Sequence, residues 1–115
     1  MGIAPFFNKG TNGAEIHPAI LKAAPNAVVV VKEFADSFEQ TTLEASLKEL
    51  NIDTLIICGM MTQNCVTHTA ISKQAENYKV SILADCTTTV DETIHNMALH
   101  AVSTRVPFMT KEELV

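Results

Sequence analysis

Thr54-Leu-Ile-Ile-Cys58, followed at once by Gly59-Met-Met-Thr-Gln-Asn-Cys65, is the stretch on which the fold turns. Residues 54–58 read as a strand that is apolar throughout, the composition of a strand buried on both faces. Gly59 permits a sharp exit, and Thr62 or Asn64 can cap a following helix over residues 65–77, with Val66, Ala70 and Ala75 as its inner face. Upstream, Ala27-Val-Val-Val-Val31 is a second continuous β-branched run. Thr41 and Glu44 then form a capping box, and Leu43, Leu47 and Leu50 make an apolar stripe at helical spacing. Downstream, residues 80–84 make a third strand that ends in Asp85, and Thr89 with Glu92 form another capping box. Ile94, Met97, Ala98, Ala101 and Val102 follow as a core-facing stripe, and residues 105–109 as a short last strand. The first 26 residues, broken by Pro5, Gly10, Gly13, Pro18 and Pro25, are loop-rich, with one short helix over 18–24. Alternating strands and helices predict a parallel sheet with right-handed crossovers. Helices must cover both faces of such apolar strands, so the expected fold is a single α/β domain over 1–115, a three-layer α/β/α sandwich.

Composition narrows the function. Apolar residues make up 47% and charged residues 18% of the 115, which excludes a disordered chain. The longest apolar run has five residues, too few to span a bilayer, and residues 1–13 lack the apolar core of a secretory signal. A net charge of −5 disfavours phosphate backbones and anionic lipid, so neither nucleic acid nor membrane is an expected partner. Three cysteines, none in a Cys-x-x-Cys pair, fit a reducing cytoplasmic setting.

Ligands of open parallel sheets sit beyond the carboxyl ends of the strands. That rule selects Lys32-Glu-Phe34, Gly59–Cys65 and Asp85–Thr89. Lys32 ends a valine run and brings an ammonium to the rim of an apolar sheet, although a lysine there can also simply snorkel to solvent. Cys65 falls in the expected first turn of a helix, where unpaired amides favour a thiolate and can hold a developing oxyanion. Cys58 reads as a strand core residue, and nothing near Cys86 activates it. His17, His68, His95 and His100 have no ligand-spaced partners, so satisfied polar or pocket-lining roles are expected and no metal or other cofactor is implied. Gly-x-Ser-x-Gly, phosphate-loop and dinucleotide fingerprints are absent.

Val29-Val-Val-Lys32, Ser37-Phe38 with Thr42-Leu43, Ile57-Cys-Gly-Met-Met-Thr-Gln-Asn-Cys65-Val66 with Thr69-Ala70, and Asp85 together resemble the isochorismatase-like cysteine hydrolases. Ala4-Pro-Phe-Phe and Gly13-Ala-Glu-Ile-His17 are similar to the loop leading into that family's lysine strand. The resemblance implies Cys65 as nucleophile and Lys32 as its cation. It also implies a cis bond between Met60 and Met61, with the Met61 and Cys65 amides as oxyanion hole. Phe34 and Phe7 are the apolar residues expected to face a small amide substrate. The reaction implied is acyl transfer through a thioester.

The family's catalytic aspartate, in a strand-Asp-x-Gln segment upstream of the lysine, has no match here, and Asp36 and Asp85 lie elsewhere in the pattern. The chain therefore reads as the C-terminal two-thirds of such a domain, incomplete at its N-terminus. A gap is expected between the lysine strand and the cysteine strand, with an open edge that favours a homo-oligomer. Two other readings remain at this point: an inactive family member serving as a binding or oligomer subunit, and a thiol redox protein using Cys65 and Cys86.

Overall fold

The computed structural model describes residues 15–114. Helix α1 (Pro18–Ala23) begins with proline at its first position, capped by His17, whose Nδ1 accepts from the Ala19 amide at 3.0 Å. Helix α2 (Leu43–Glu49) follows a loop. Strand β1 (Thr54–Met60) then leads through a wide π-helical turn (Thr62–Val66) into α3 (Thr67–Ala70) and a 3-10 turn (Gln74–Asn77). Strand β2 (Lys79–Thr88), helix α4 (Glu92–Val102), strand β3 (Phe108–Met109) and helix α5 (Lys111–Leu114) complete the described chain.

The three strands form one sheet in the order β1-β2-β3, with both pairs parallel. This is the α/β architecture the alternating pattern predicts. Register runs evenly from Thr54↔Lys79 to Ile57↔Ile82 and then breaks. Between the pairs Ile57↔Ile82 and Gly59↔Thr87, β1 advances two residues and β2 advances five, so β2 bulges by three (5 − 2). The Thr87 hydroxyl closes this bulge by donating to the Ala84 carbonyl at 2.8 Å. Asp85, at its tip, accepts from the Lys111 amide with both carboxylate oxygens, at 3.0 and 3.1 Å, and so ties down the start of α5. Bulges concentrate beside functional sites because they re-aim strand ends.

The core lies between the sheet and α3, α4 and the chain after them. Val66, Ala70, Ile82, Val102 and Val106 are buried, with Ile57, Ile71, Val80 and Leu99 packed against them.

Five expectations need correction. Residues 27–31 form no strand: among the described residues nothing pairs with them, and Val28, Val29 and Val31 are 59%, 59% and 83% exposed. β-branched composition favours an extended chain, but a ladder needs a neighbour at hydrogen-bonding distance. Among the described residues β1 is covered on one face, through Ile57, while Ile56 and Cys58 are exposed. The helix expected over 65–77 is broken into the π-turn, α3 and the 3-10 turn. Finally, α4 is capped by Asp91, whose Oδ1 accepts from the Ile94 amide at 3.1 Å, not by Thr89. That helix is also rotated by one residue: His95, Ala98, Leu99 and Val102 face inward, while Ile94 and Met97 are exposed. At the other capping box, the Thr41 hydroxyl accepts from the Leu43 amide at 3.2 Å, and Glu44 pairs with Lys48 at 3.0 Å.

Candidate active site

β1 ends in a loop whose backbone is set by Gly59, at φ 106°, in the left-handed region. A Cβ there would meet nothing within 4 Å, so the requirement for glycine is conformational and not a matter of space. The Met60–Met61 peptide is cis. The Met61 carbonyl then accepts from two amides, Asn64 at 3.0 Å and Val66 at 3.3 Å. The Val66 bond spans five residues and makes the turn a π-turn, a geometry common where chains carry function. Cys65 sits in this turn, half-buried, instead of in the first turn of a long helix.

Lys32 reaches the same place from the valine segment. Its Nζ lies 3.1 Å from Cys65 Sγ and also donates to the carbonyls of Phe34 and, at 3.3 Å, Ala35. An ammonium has three donors, and these partners engage all three, so its position is fixed beside the sulfur. The loop after Lys32 is in turn fastened to the cysteine side of the molecule. The Ser37 amide donates to Thr69 Oγ1 at 2.9 Å, and Thr69 Oγ1 donates to Ser37 Oγ at 2.9 Å. Ser72 Oγ donates to Asp36 Oδ2 at 2.6 Å, while Asp36 Oδ1 accepts from the Phe38 amide at 2.9 Å. Thr69 and Ser72 are buried, so these bonds are shielded from competing water. Phe38, also buried, stacks on Tyr78 at 6.3 Å between ring centroids.

On the other side of the turn, Thr62 is fully buried and its Oγ1 lies 2.7 Å from His95 Nδ1. Between the valine segment and β1 lies an apolar cavity of about 330 Å³, lined by Val28, Val30, Lys32, Leu43, Leu55 and Ile57 among others.

The structure thus brings Lys32, Cys65 and the Met60–Met61 peptide together across 33 residues of sequence separation. Phe34 does not line the cavity; it is 44% exposed, and its carbonyl is what meets Lys32. Phe7 lies outside the described residues. Asp36 and Asp85 are each engaged elsewhere, as buckle and as cap, and among the described residues no carboxylate is bonded to Cys65 or Lys32. No group of metal-ligating side chains occurs among the described residues. Cys86 has its thiol pKa raised, first by desolvation and then by the Asp85 carboxylate. Because the side chain is exposed, the neighbouring charge is the cause with physical weight. Sequence reasoning missed the Asp36–Ser72 buckle and the Thr62–His95 bond; they join residues 36 and 33 positions apart, and no local spacing signals them.

Residues 2–113 match the model of the Isochorismatase domain. The chain belongs to the isochorismatase family. It is 31% identical over 107 residues to the uncharacterized isochorismatase family protein YddQ of Bacillus subtilis, covering 93% of this chain and 59% of that protein. It is 30% identical over 96 residues to the nicotinamidase of Acinetobacter baylyi, covering 72% of this chain and 44% of the relative. The solved structure of an isochorismatase-like hydrolase from Alkaliphilus metalliredigens superposes with a TM-score of 0.83 at 34% identity, over 92% of this chain and 59% of that one. The chain therefore spans about three-fifths or less of the length of these relatives.

Proposed function

We propose that this chain carries the nucleophile and the ammonium of a cysteine hydrolase that cleaves the C–N bond of a small amide. The observation that carries the reading is the 3.1 Å approach of Lys32 Nζ to Cys65 Sγ. A thiolate is the reactive form of cysteine, and an adjacent ammonium favours it. In the proposed reaction, Sγ attacks the carbonyl carbon to give a tetrahedral adduct. Its oxyanion is assigned to the backbone N–H groups of Met61 and Cys65. The C–N bond then breaks, the nitrogen taking a proton from solvent water as it leaves as the neutral amine, and the acyl group remains on sulfur. Water adds to the thioester and releases a carboxylic acid and the free thiol. Phe34, whose carbonyl meets the ammonium, and Phe7 are the apolar residues assigned to substrate.

The described residues supply the nucleophile and the ammonium, and the catalytic carboxylate implied by the family resemblance has no counterpart among them. The setting assigned is the reducing cytoplasm, which keeps all three thiols free. Among the described residues, no helix is long and apolar enough to cross a membrane. The edge of β1 that no strand among the described residues pairs with, and the exposed valines, favour pairing between copies of the chain. A monomer mass by light scattering would contradict that last assignment.

The test of function uses p-nitrophenyl acetate as an activated acyl donor, with mass spectrometry locating the acyl group. Acylation is expected at Cys65 ahead of Cys58 and Cys86, and is expected to vanish from that peptide in Cys65→Ala. Equal labelling of all three thiols would remove the nucleophile assignment and favour a non-catalytic subunit.

A further inference from the structure

We infer that His95 is a positioning residue, holding the turn that carries Met61 and Cys65 through its hydrogen bond to Thr62. The inference rests on the proposed role of that turn but concerns a residue to which the acyl-transfer scheme gives no part.

Thr62 stands between the cis peptide and the cysteine and has no exposed surface. Its hydroxyl cannot turn to water, so its partner decides whether the site is satisfied. That partner is His95 Nδ1 at 2.7 Å, in the first turn of α4 and 33 residues along the chain. The turn's backbone closes on itself through the Met61 and Thr62 carbonyls, which accept from Asn64, Val66 and Thr67. Its side-chain ties to distant elements among the described residues are two: Cys65 to Lys32 on one side, and Thr62 to His95 on the other. The first engages the reacting sulfur itself. The second anchors the backbone from behind.

The rotation of α4 is an independent observation for the same role. The helix offers Ile94, Met97, Ala98, Ala101 and Val102 as an apolar stripe, and burial of that stripe alone would turn Ile94 and Met97 inward. Instead Ile94 is 41% and Met97 68% exposed, while His95 is half-buried against Thr62. The face turned inward instead carries Leu99 and Val102 to the core and sets the imidazole against the threonine.

The experiment is amide hydrogen exchange, resolved by peptide mass spectrometry, on the full chain. Thr62→Val keeps shape and removes the hydroxyl; His95→Leu removes the ring nitrogen. Thr62→Ser and His95→Asn each keep a polar atom in place, since an asparagine amide can accept or donate where Nδ1 does. Loss of one neutral hydrogen bond should speed exchange in residues 61–66 roughly three- to tenfold, with the β2 ladder unchanged. The double variant His95→Leu with Thr62→Val should exchange no faster than either single, because both remove one interaction. Serine and asparagine should restore wild-type protection. Unchanged exchange in Thr62→Val, additive effects in the double variant, or no rescue by the conservative pair would overturn the inference. Should His95→Leu fail to fold, the Thr62→Val and Thr62→Ser comparison decides alone. Acyl labelling of wild-type Cys65 judges the proposed function separately, because it does not depend on the exchange rates of these variants.

Discussion

The two sides of β1 are built by different means. Toward β2 it has a parallel ladder from Thr54↔Lys79 to Met60↔Thr88, and the core closes over Ile82, which has no exposed surface. Toward the valine segment it has no ladder at all, and Val31 is 83% exposed. Yet the candidate site takes one group from each side: Cys65 from the laddered half and Lys32 from the other. What places Lys32 is therefore not the sheet. It is the polar clamp in the loop that follows, where Ser37 meets Thr69 and Asp36 meets Ser72. Apolar burial fixes one half of the site and buried hydrogen bonds fix the other.

Truncating the two halves separately breaks this comparison most sharply. Ile82→Ala removes a fully buried side chain and should cost about 2–5 kcal/mol in urea unfolding. Val29→Ala, 59% exposed, should change stability by less than about 0.5 kcal/mol. Similar losses at the two positions would mean that the valine segment is packed as tightly as the core. Thr69→Val comes next. It leaves the Ser37 amide without its acceptor, at an expected cost of about 1–2 kcal/mol, and loosens the loop that holds Lys32. Its signature is a slower alkylation of Cys65 with the β1–β2 ladder still protected from exchange. A stability loss with unchanged Cys65 reactivity would show that the clamp does not position the lysine.

The smallest effect concerns Cys86. Its thiol pKa is raised by desolvation and by Asp85, so at a given pH less of it is thiolate than of an unperturbed cysteine. Its alkylation should need a higher pH, and Asp85→Asn should shift that profile back down. A Cys86 profile that matches a free thiol would remove the carboxylate's influence.

The sequence made the laddered half readable. Apolar five-residue strands, a glycine at a strand end and alternating helices are local signals, and they fixed β1, β2, α4 and the α/β class. The other half was legible only in part. The valine run has strand composition, but composition cannot supply the hydrogen-bonding neighbour that a ladder requires. Lys32 and Cys65 were identifiable as rim residues from their positions after apolar runs, whereas their separation depends on long-range polar contacts. The rotation of α4 escaped pattern reading for a similar reason: the observed face packs Leu99 against the core and sets His95 against a buried threonine 33 residues away, and neither contact is visible in local spacing. Asp85 shows the reverse case, a carboxylate at the rim whose bonds go to the Lys111 amide and not to the site.

The central claim is that the ammonium of Lys32 activates the sulfur of Cys65. Peptide-resolved alkylation with iodoacetamide at pH 7 tests it directly, comparing the wild-type chain with Lys32→Met. The account predicts that Cys65 reacts fastest of the three cysteines, and that the substitution slows it by on the order of tenfold while leaving Cys58 unchanged. Equal rates at Cys65 in the two proteins would contradict it.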